Sequence, residues 1–342
     1  MDLSKYGIHL ELNASTNLDA IDYSYIEPAK RFENSILVGN TNYTLLKILG
    51  KGSYGVTYLA KDHKNSTYAL KIVQAKNASA IQECIVHILL FEESAELSNG
   101  PFVPAFYGIG YNVENQETYI VSEKLDGTFE SLIVSNKKPD NDRLIPDALL
   151  QLSEILTFFG NRLKFNHRDF KPDNIMYSKS WLGTYRFKLI DFGLSCLNFR
   201  GLPIHVEGLF PKERVCYKED RDLPQCMYSL LMFYGKYISH NLQDRLNEIL
   251  VSYIHSEAGQ KDCHMFQGCE NDGLKTWANA YTFLNRKNIT VPSAKLRTLK
   301  THMNNFKRGK PFAVLSNQKR LTRNNRKLNT HSMLVSNSNT NS

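Results

Sequence analysis

The sequence lacks any apolar run long enough to cross a bilayer. Even Leu230-Leu231-Met232-Phe233-Tyr234 is broken at once by Gly235-Lys236, whereas a span needs about 18 consecutive apolar residues, so no membrane partner is expected. The opening Met1-Asp2-Leu3-Ser4-Lys5 has no apolar core of the kind a secretory leader carries. An intracellular chain, cytoplasmic or nuclear, is the expectation. Cysteine is sparse and unpaired: the six, at 84, 196, 216, 226, 263 and 269, show no Cys-x-x-Cys spacing. A disulfide framework is therefore not expected, and inside a cell all six would stay reduced. Cys263-His264 with Cys269 has no second pair to complete a metal site. Acidic residues are absent from 273–342, which carries 14 Lys or Arg. Of the chain's 42 basic and 34 acidic residues, 28 and 34 then fall in 1–272. The formal net charge of +8 divides into a body of −6 and a tail of +14.

What is present is a globular composition, 42% hydrophobic and 22% charged over 342 residues, enough for about two packed units at roughly 100–200 residues each. Residues 1–42 scatter isolated apolar residues among Asn and Ser without a sustained period, and read as an N-terminal extension, packed in part. From Tyr43 the texture changes to β-rich runs at 43–49, 56–60 and 67–73, separated by a Gly-rich turn at 50–55 and a polar turn at 62–66. This predicts three antiparallel strands. Ile81, Ile85, Ile88 and Leu89 keep helical spacing, so a helix is expected over about 79–93. Short runs at 103–107 and 118–121 add strands. Beyond 127 the apolar faces of 147–156 and 223–233 predict helices. The fold class is α+β: a small antiparallel sheet lobe with one helix, then a mainly helical lobe. Residues 286–342, rich in Asn, Lys and Arg, read as a flexible basic tail.

Gly50-Lys51-Gly52-Ser53-Tyr54-Gly55-Val56 fits G-x-G-x-x-G-x-V. Glycines there let backbone N–H groups approach phosphate oxygens with no Cβ in the way. A dinucleotide fingerprint requires a helix directly afterwards, but Val56-Thr57-Tyr58-Leu59 reads as a strand, leaving a hairpin over phosphates or a plain hairpin turn. Lys71, inside the apolar run Ala69-Leu70-Lys71-Ile72, needs an anionic partner. Glu83 on the following helix is preferred, with Glu92 and Glu93 as rivals. The segment His167-Arg168-Asp169-Phe170-Lys171-Pro172-Asp173-Asn174 offers an Asp to accept a hydroxyl proton, a Lys to stabilise a transferring phosphoryl group and an Asn to bind Mg²⁺. Ile190-Asp191-Phe192-Gly193 then ends an apolar run with a carboxylate placed for a metal.

In this order, these motifs resemble the eukaryotic-type protein kinase superfamily over residues 43–285. The resemblance implies a sheet lobe at 43–122, a hinge at 123–126 and a helical lobe at 127–285. It implies ATP and Mg²⁺ as cofactors and a protein Ser or Thr hydroxyl as acceptor, Lys171 being the feature that favours Ser/Thr over Tyr. It makes Leu49 through Thr57 (Leu49, Gly50, Lys51, Gly52, Ser53, Tyr54, Gly55, Val56, Thr57) the nucleotide loop, and Lys71 with Glu83 the ion pair. Asp169 becomes the catalytic base, Lys171 the phosphate-stabilising lysine, and Asn174 and Asp191 the Mg²⁺ ligands. The stretch 120–132 resembles the hinge of the casein kinase I branch, which implies adenine contacts from the Glu123 carbonyl and Leu125 N–H, with Ser122 as gatekeeper.

Departures from the family are specific. No Ala-Pro-Glu follows Asp191; Phe210-Pro211-Lys212-Glu213 is a loose stand-in. Asp222, before an apolar helix, resembles the buried Asp that holds a kinase catalytic loop. Residues 194–215 contain no Thr and only Ser195, so activity without loop phosphorylation is expected. The abundant Asn, short helical lobe and abbreviated activation segment would suit a kinase of a large DNA virus, possible in the virion. The tail offers a surface for an acidic partner, a nuclear import receptor or nucleic acid. The rivals to an active enzyme are a scaffold using the fold for protein binding, and a nucleic-acid-binding protein dominated by the tail.

Overall fold

The β-branched and aromatic runs of the first 123 residues pair into one sheet; Ser35–Val38 alternates half-buried with buried positions, whereas residues 117–121 are buried in succession. The computed structural model describes residues 1–254 apart from 53–54, 75–78, 207–216 and 218–221, with side chains to 250. The strands are β1 Ala29–Arg31, β2 Ser35–Val38, β3 Thr41–Gly52, β4 Gly55–Lys61 and β5 Thr67–Gln74, followed by helix α1 Ser79–Ser94, then β6 Phe106–Asn112 and β7 Glu117–Glu123. Their spatial order is β1-β2-β3-β4-β5-β7-β6, every neighbour antiparallel. The three strands expected from the Gly-rich region are β3, β4 and β5, and the expected helix is α1.

Two expectations shift. The strand read at 103–107 lies at Phe106–Asn112, because Gly108 and Gly110 interrupt its apolar pattern. A Cβ on Gly110 would stand 2.8 Å from the Ala29 Cβ, so the strand needs a glycine where the chain crosses it. Residues 1–42 are built into the sheet lobe: β1 and β2 extend the sheet, and three 3-10 turns at Ser4–Tyr6, Leu18–Ala20 and Tyr23–Tyr25 carry residues into the core. Leu3, Tyr6, Ile8, Leu12, Leu18, Ile21 and Ile26 are buried in the same apolar cluster as α1. Each contributes about 1.5–3 kcal/mol of burial free energy before entropy is subtracted. Irregular chain buries such residues at no fixed period, and so the pattern is silent.

The second lobe starts with a short strand β8, Gly127–Thr128, whose Thr128 Oγ1 accepts from the Ser131 N–H at 3.0 Å and caps α2, Phe129–Ser135. Helix α3 runs Lys138–Leu163, longer at both ends than its sequence signal, and includes Pro146. Strands β9 Ile175–Lys179 and β10 Tyr185–Leu189 pair as a hairpin, as do β11 Cys196–Phe199 and β12 Leu202–His205. Helices α4 Asp222–Tyr234 and α5 His240–Ile254 follow. Among the described residues no helix is long and apolar enough to cross a membrane. Cys84 and Cys226 are free and buried, whereas Cys196 is disulfide-bonded, against the expectation that all six stay reduced. Ser53, Tyr54, the 210–213 stand-in, residues 255–285 and the 286–342 tail lie outside the described residues.

Candidate active site

The site is assembled in the cleft between the lobes. Strands β3 and β4 form the glycine hairpin, with Gly50 opposite Thr57 and Gly52 opposite Gly55. The glycines serve different needs. A Cβ on Gly55 would lie 2.1 Å from the Ile72 carbonyl oxygen, whereas a Cβ on Gly50 or Gly52 meets nothing within 4 Å. The fold requires Gly55; at Gly50 and Gly52 it leaves an open cradle that side chains would fill, which fits phosphates approaching the backbone. Lys71 on β5 faces Ile120 of β7, and its Nζ stands 3.7 Å from Glu83 Oε1. The rival carboxylates are committed elsewhere: Glu92 to Lys5 and Tyr6, Glu93 to Arg162. Burial works to lower the Lys71 pKa, but the charges of Glu83 and Asp191 outweigh it and move it upward. The ammonium therefore stays charged. A Cβ added at Gly193 would sit 3.5 Å from Asp191 Oδ1 and 3.7 Å from Glu83 Oε2, which places the Asp-Phe-Gly turn against the same ion pair.

Below it, Asp169 Oδ2 accepts from Lys171 Nζ and from Asn174 Nδ2, both at 2.8 Å. Asn174 Nδ2 also donates to the Asp169 carbonyl at 2.9 Å, which leaves its amide oxygen to face a cation. That oxygen and the Asp191 carboxylate are the hard oxygen donors that suit Mg²⁺. Arg168 and Asp191 hold φ at +68° and +63°, a left-handed conformation uncommon for such residues and frequent at functional sites. The cause of the first is visible. Buried Asp222, at the start of α4, accepts the His167 N–H at 2.8 Å, the Arg168 N–H at 2.9 Å and Asn166 Nδ2 at 3.2 Å. Gln225, one turn along α4, accepts the Phe170 N–H at 3.0 Å and donates to the Arg168 carbonyl at 3.1 Å. Asp222 was legible as the loop's anchor; Gln225 was missed, although its i+3 spacing puts it on the same helical face.

The Glu123 N–H donates to the Ala105 carbonyl at 2.8 Å, and its carboxylate accepts from the Ala105 N–H at 2.9 Å and from buried Lys188 Nζ at 2.6 Å. Leu125 is buried. Asp126 ties the crossover to β9 through its N–H to the Tyr177 carbonyl at 2.9 Å and a bond from the Lys179 N–H at 2.8 Å. Ser122 sits opposite Ala69 and Phe106. Ser195 is fully buried and its hydroxyl donates to the His167 carbonyl at 3.2 Å, which withholds it from modification.

Sequence reasoning also missed an aromatic column behind the site. Phe106 packs edge-on to His87 (5.2 Å between centroids), His87 contacts Phe192 (5.3 Å), and Phe192 contacts His167 (5.7 Å). The column thus joins β6 and α1 to both halves of the catalytic cleft. His87 Nε2 donates to the Pro104 carbonyl at 2.8 Å, and burial, helped by the Lys71 charge, pushes its pKa down to about 4. The imidazole is neutral at pH 7.

A sheet lobe with one helix above a helical lobe, holding a glycine hairpin, a Lys–Glu pair and an Asp-Lys-Asn loop across one cleft, is the architecture of a protein kinase domain. Residues 43–203, just under half of the chain, match the family model of the protein kinase domain. The chain is 29% identical over 183 residues to calcium-dependent protein kinase 4 of Plasmodium berghei, covering 52% of this chain and 33% of that protein. It is 29% identical over 172 residues to a probable serine/threonine-protein kinase of Dictyostelium discoideum (48% and 24%). To the serine/threonine-protein kinase greatwall of Danio rerio it is 31% identical over 160 residues (45% and 17%). The chain spans a third or less of the length of these relatives. Together the matches support the eukaryotic-type protein kinase superfamily.

Proposed function

We propose that this chain is a serine/threonine protein kinase that transfers the γ-phosphoryl group of ATP to a protein hydroxyl. The observation that carries the reading is the convergence of Lys171 Nζ and Asn174 Nδ2 on Asp169 Oδ2, each at 2.8 Å, in a loop clamped by Asp222. Asp169 accepts the proton of the substrate hydroxyl as its oxygen attacks the γ-phosphorus and ADP departs. Lys171, charged because Asp169 and neighbouring carboxylates outweigh the effect of burial, neutralises the phosphoryl oxygens in flight. Lys71, held by Glu83, takes the α- and β-phosphate charge, while backbone N–H groups of the glycine hairpin, from Leu49 to Gly52 and from Gly55 to Thr57, cover the phosphates. The Glu123 carbonyl and Leu125 N–H take the adenine. Asn174 and Asp191 would hold Mg²⁺, which would supply charge neutralisation to the phosphates. Positioning and electrostatics of this kind carry most of phosphoryl transfer.

Lys171 and the names of the relatives favour Ser/Thr over Tyr. The hinge sequence and the missing Ala-Pro-Glu favour the casein kinase I-like branch, and the abundant Asn, short helical lobe and abbreviated activation segment suit a large-virus source. The tail of +14 would serve an acidic partner or nucleic acid, recognisable by binding that weakens steeply with salt. The test is radiolabelled ATP transfer to acidic and basic generic substrates. Asp169→Asn should lower the rate by about 10²–10⁴-fold while nucleotide binding, read by fluorescent-ATP titration, stays within about twofold. A variant as active as wild type, or a wild type that labels nothing under Mg²⁺ or Mn²⁺, refutes the assignment and favours a scaffold.

A further inference from the structure

Helix α1 buries Ile81, Gln82, Cys84, Ile85, Val86, Ile88, Leu89 and Leu90. A helix lying on one sheet face needs a single apolar stripe, so this one must be covered on a second side. The cover is the N-terminal segment that precedes the family match. Leu3, Tyr6, Ile8, Leu12, Leu18 and Ile21 share the α1 cluster. Polar ties fasten the two ends of the helix: Gln82 Nε2 donates to the Leu18 carbonyl at 3.4 Å, and Glu92 takes Lys5 Nζ at 2.8 Å together with the Tyr6 hydroxyl. The ties stand ten residues apart, about 15 Å along the axis, which fixes tilt as well as position. One of them adjoins Glu83.

We propose that residues 1–28 are an internal brace that holds α1 in the position where Glu83 meets Lys71, with Tyr6 as the positioning residue. The Tyr6 ring lies edge-on to Phe106 at 5.7 Å, so it extends the aromatic column Phe106, His87, Phe192 and His167 by one member. His87 is one helical turn beyond Glu83, on the same side of α1. Pressure at Tyr6 is thereby transmitted both to the ion pair and to the Asp-Phe-Gly turn. The brace is anchored to the sheet rather than hinged away from it. The Glu27 N–H donates to the Gly7 carbonyl at 2.8 Å and the Tyr111 N–H to the Glu27 carbonyl at 2.9 Å, while Tyr23 stacks on Tyr111 at 4.3 Å. Gly7 itself, at φ +82°, has no room for a Cβ, which would stand 2.4 Å from the Ile109 carbonyl oxygen. A helix held in this way needs neither loop phosphorylation nor a second chain to bring Glu83 inward.

This inference rests on the kinase reading, and two measurements on the full chain separate their failures. Hydrogen exchange of the 79–94 amides, compared with those of 240–250, reports the brace without turnover; steady-state transfer reports its catalytic consequence. Tyr6→Ala should speed α1 exchange about tenfold and lower kcat by about tenfold, inside the usual 5- to 150-fold range of coupling between sites, with KM for ATP changed less. Tyr6→Phe keeps the ring and should restore kcat to within about twofold of wild type. Ser15→Ala, exposed on the segment, should change neither. Should Tyr6→Ala fail to fold, Lys5→Glu sets a like charge against Glu92 at an exposed position and should show the same direction in both measurements. A lowered melting temperature with kcat and relative α1 exchange unchanged would mean a cover without a positioning role, and overturns the proposal. Faster α1 exchange with kcat unchanged overturns it too. A wild type without transfer refutes the kinase reading, and the exchange data then still decide the brace.

Discussion

Replacing His87 by Leu should remove a defined part of the protein's acid sensitivity. Burial, reinforced by the Lys71 charge and only partly opposed by the Pro104 carbonyl, lowers the His87 pKa from 6.5 to about 4 in the folded protein. The unfolded chain therefore takes up a proton as pH falls below 6.5, while the folded chain resists until about 4. The stability from keeping this imidazole neutral is fully present above pH 6.5 and is lost as pH falls toward 4. At about 1.4 kcal/mol per unit, the loss is about 2 kcal/mol at pH 5 and approaches about 3 kcal/mol at pH 4. Urea unfolding of wild type and His87→Leu between pH 7.5 and 4.5 measures it. Carboxylates whose pKa values are lowered in the fold, such as Asp62 and Glu92, lose stability in acid in both proteins and cancel in the difference. The lost bond to the Pro104 carbonyl adds a constant offset. A wild-type-minus-variant difference that is flat in pH would refute the reasoning and would mean that water or a rearranged Pro104 turn solvates the imidazolium.

Two further outcomes follow from the site. Asp222→Ala removes the acceptor of two backbone N–H groups and Asn166 Nδ2, and should cost about 3 kcal/mol or more at 1–3 kcal/mol per stranded donor, read by denaturant unfolding, with phosphoryl transfer lost as the Arg168 loop relaxes. The glycine hairpin should split by function: Gly55→Ala collides with the Ile72 carbonyl and should destabilise by roughly 1–3 kcal/mol, whereas Gly52→Ala should leave stability within about 0.5 kcal/mol and raise KM for ATP about tenfold.

The legible parts of this protein were those whose meaning is local in the chain. Asp169, Lys171 and Asn174 lie within six residues, so their meeting at one carboxylate oxygen follows once the loop is formed. Likewise the alternation of 43–73 and the glycine spacing state a hairpin without reference to anything distant. Lys71 asked for a partner, but its choice of Glu83 over Glu92 and Glu93 was settled when α1 turned the first inward and the N-terminal segment and Arg162 claimed the others. Gln225 was hidden because a lone polar residue on a helix is ordinary until the loop it clamps is seen.

By itself, then, the sequence determined the chemistry available: which carboxylates, lysines and glycines exist, and at what spacing along short segments. Only tertiary structure decided that residues 1–42 are part of the sheet lobe, and that Tyr6, Phe106, His87, Phe192 and His167 stand in one column. Those contacts join residues far apart in sequence through irregular chain, where apolar side chains are buried singly and at no period. Hydrophobic burial is non-directional, so a scattered Leu or Tyr declares that it will be buried but not against what; that is answered only when the surfaces meet.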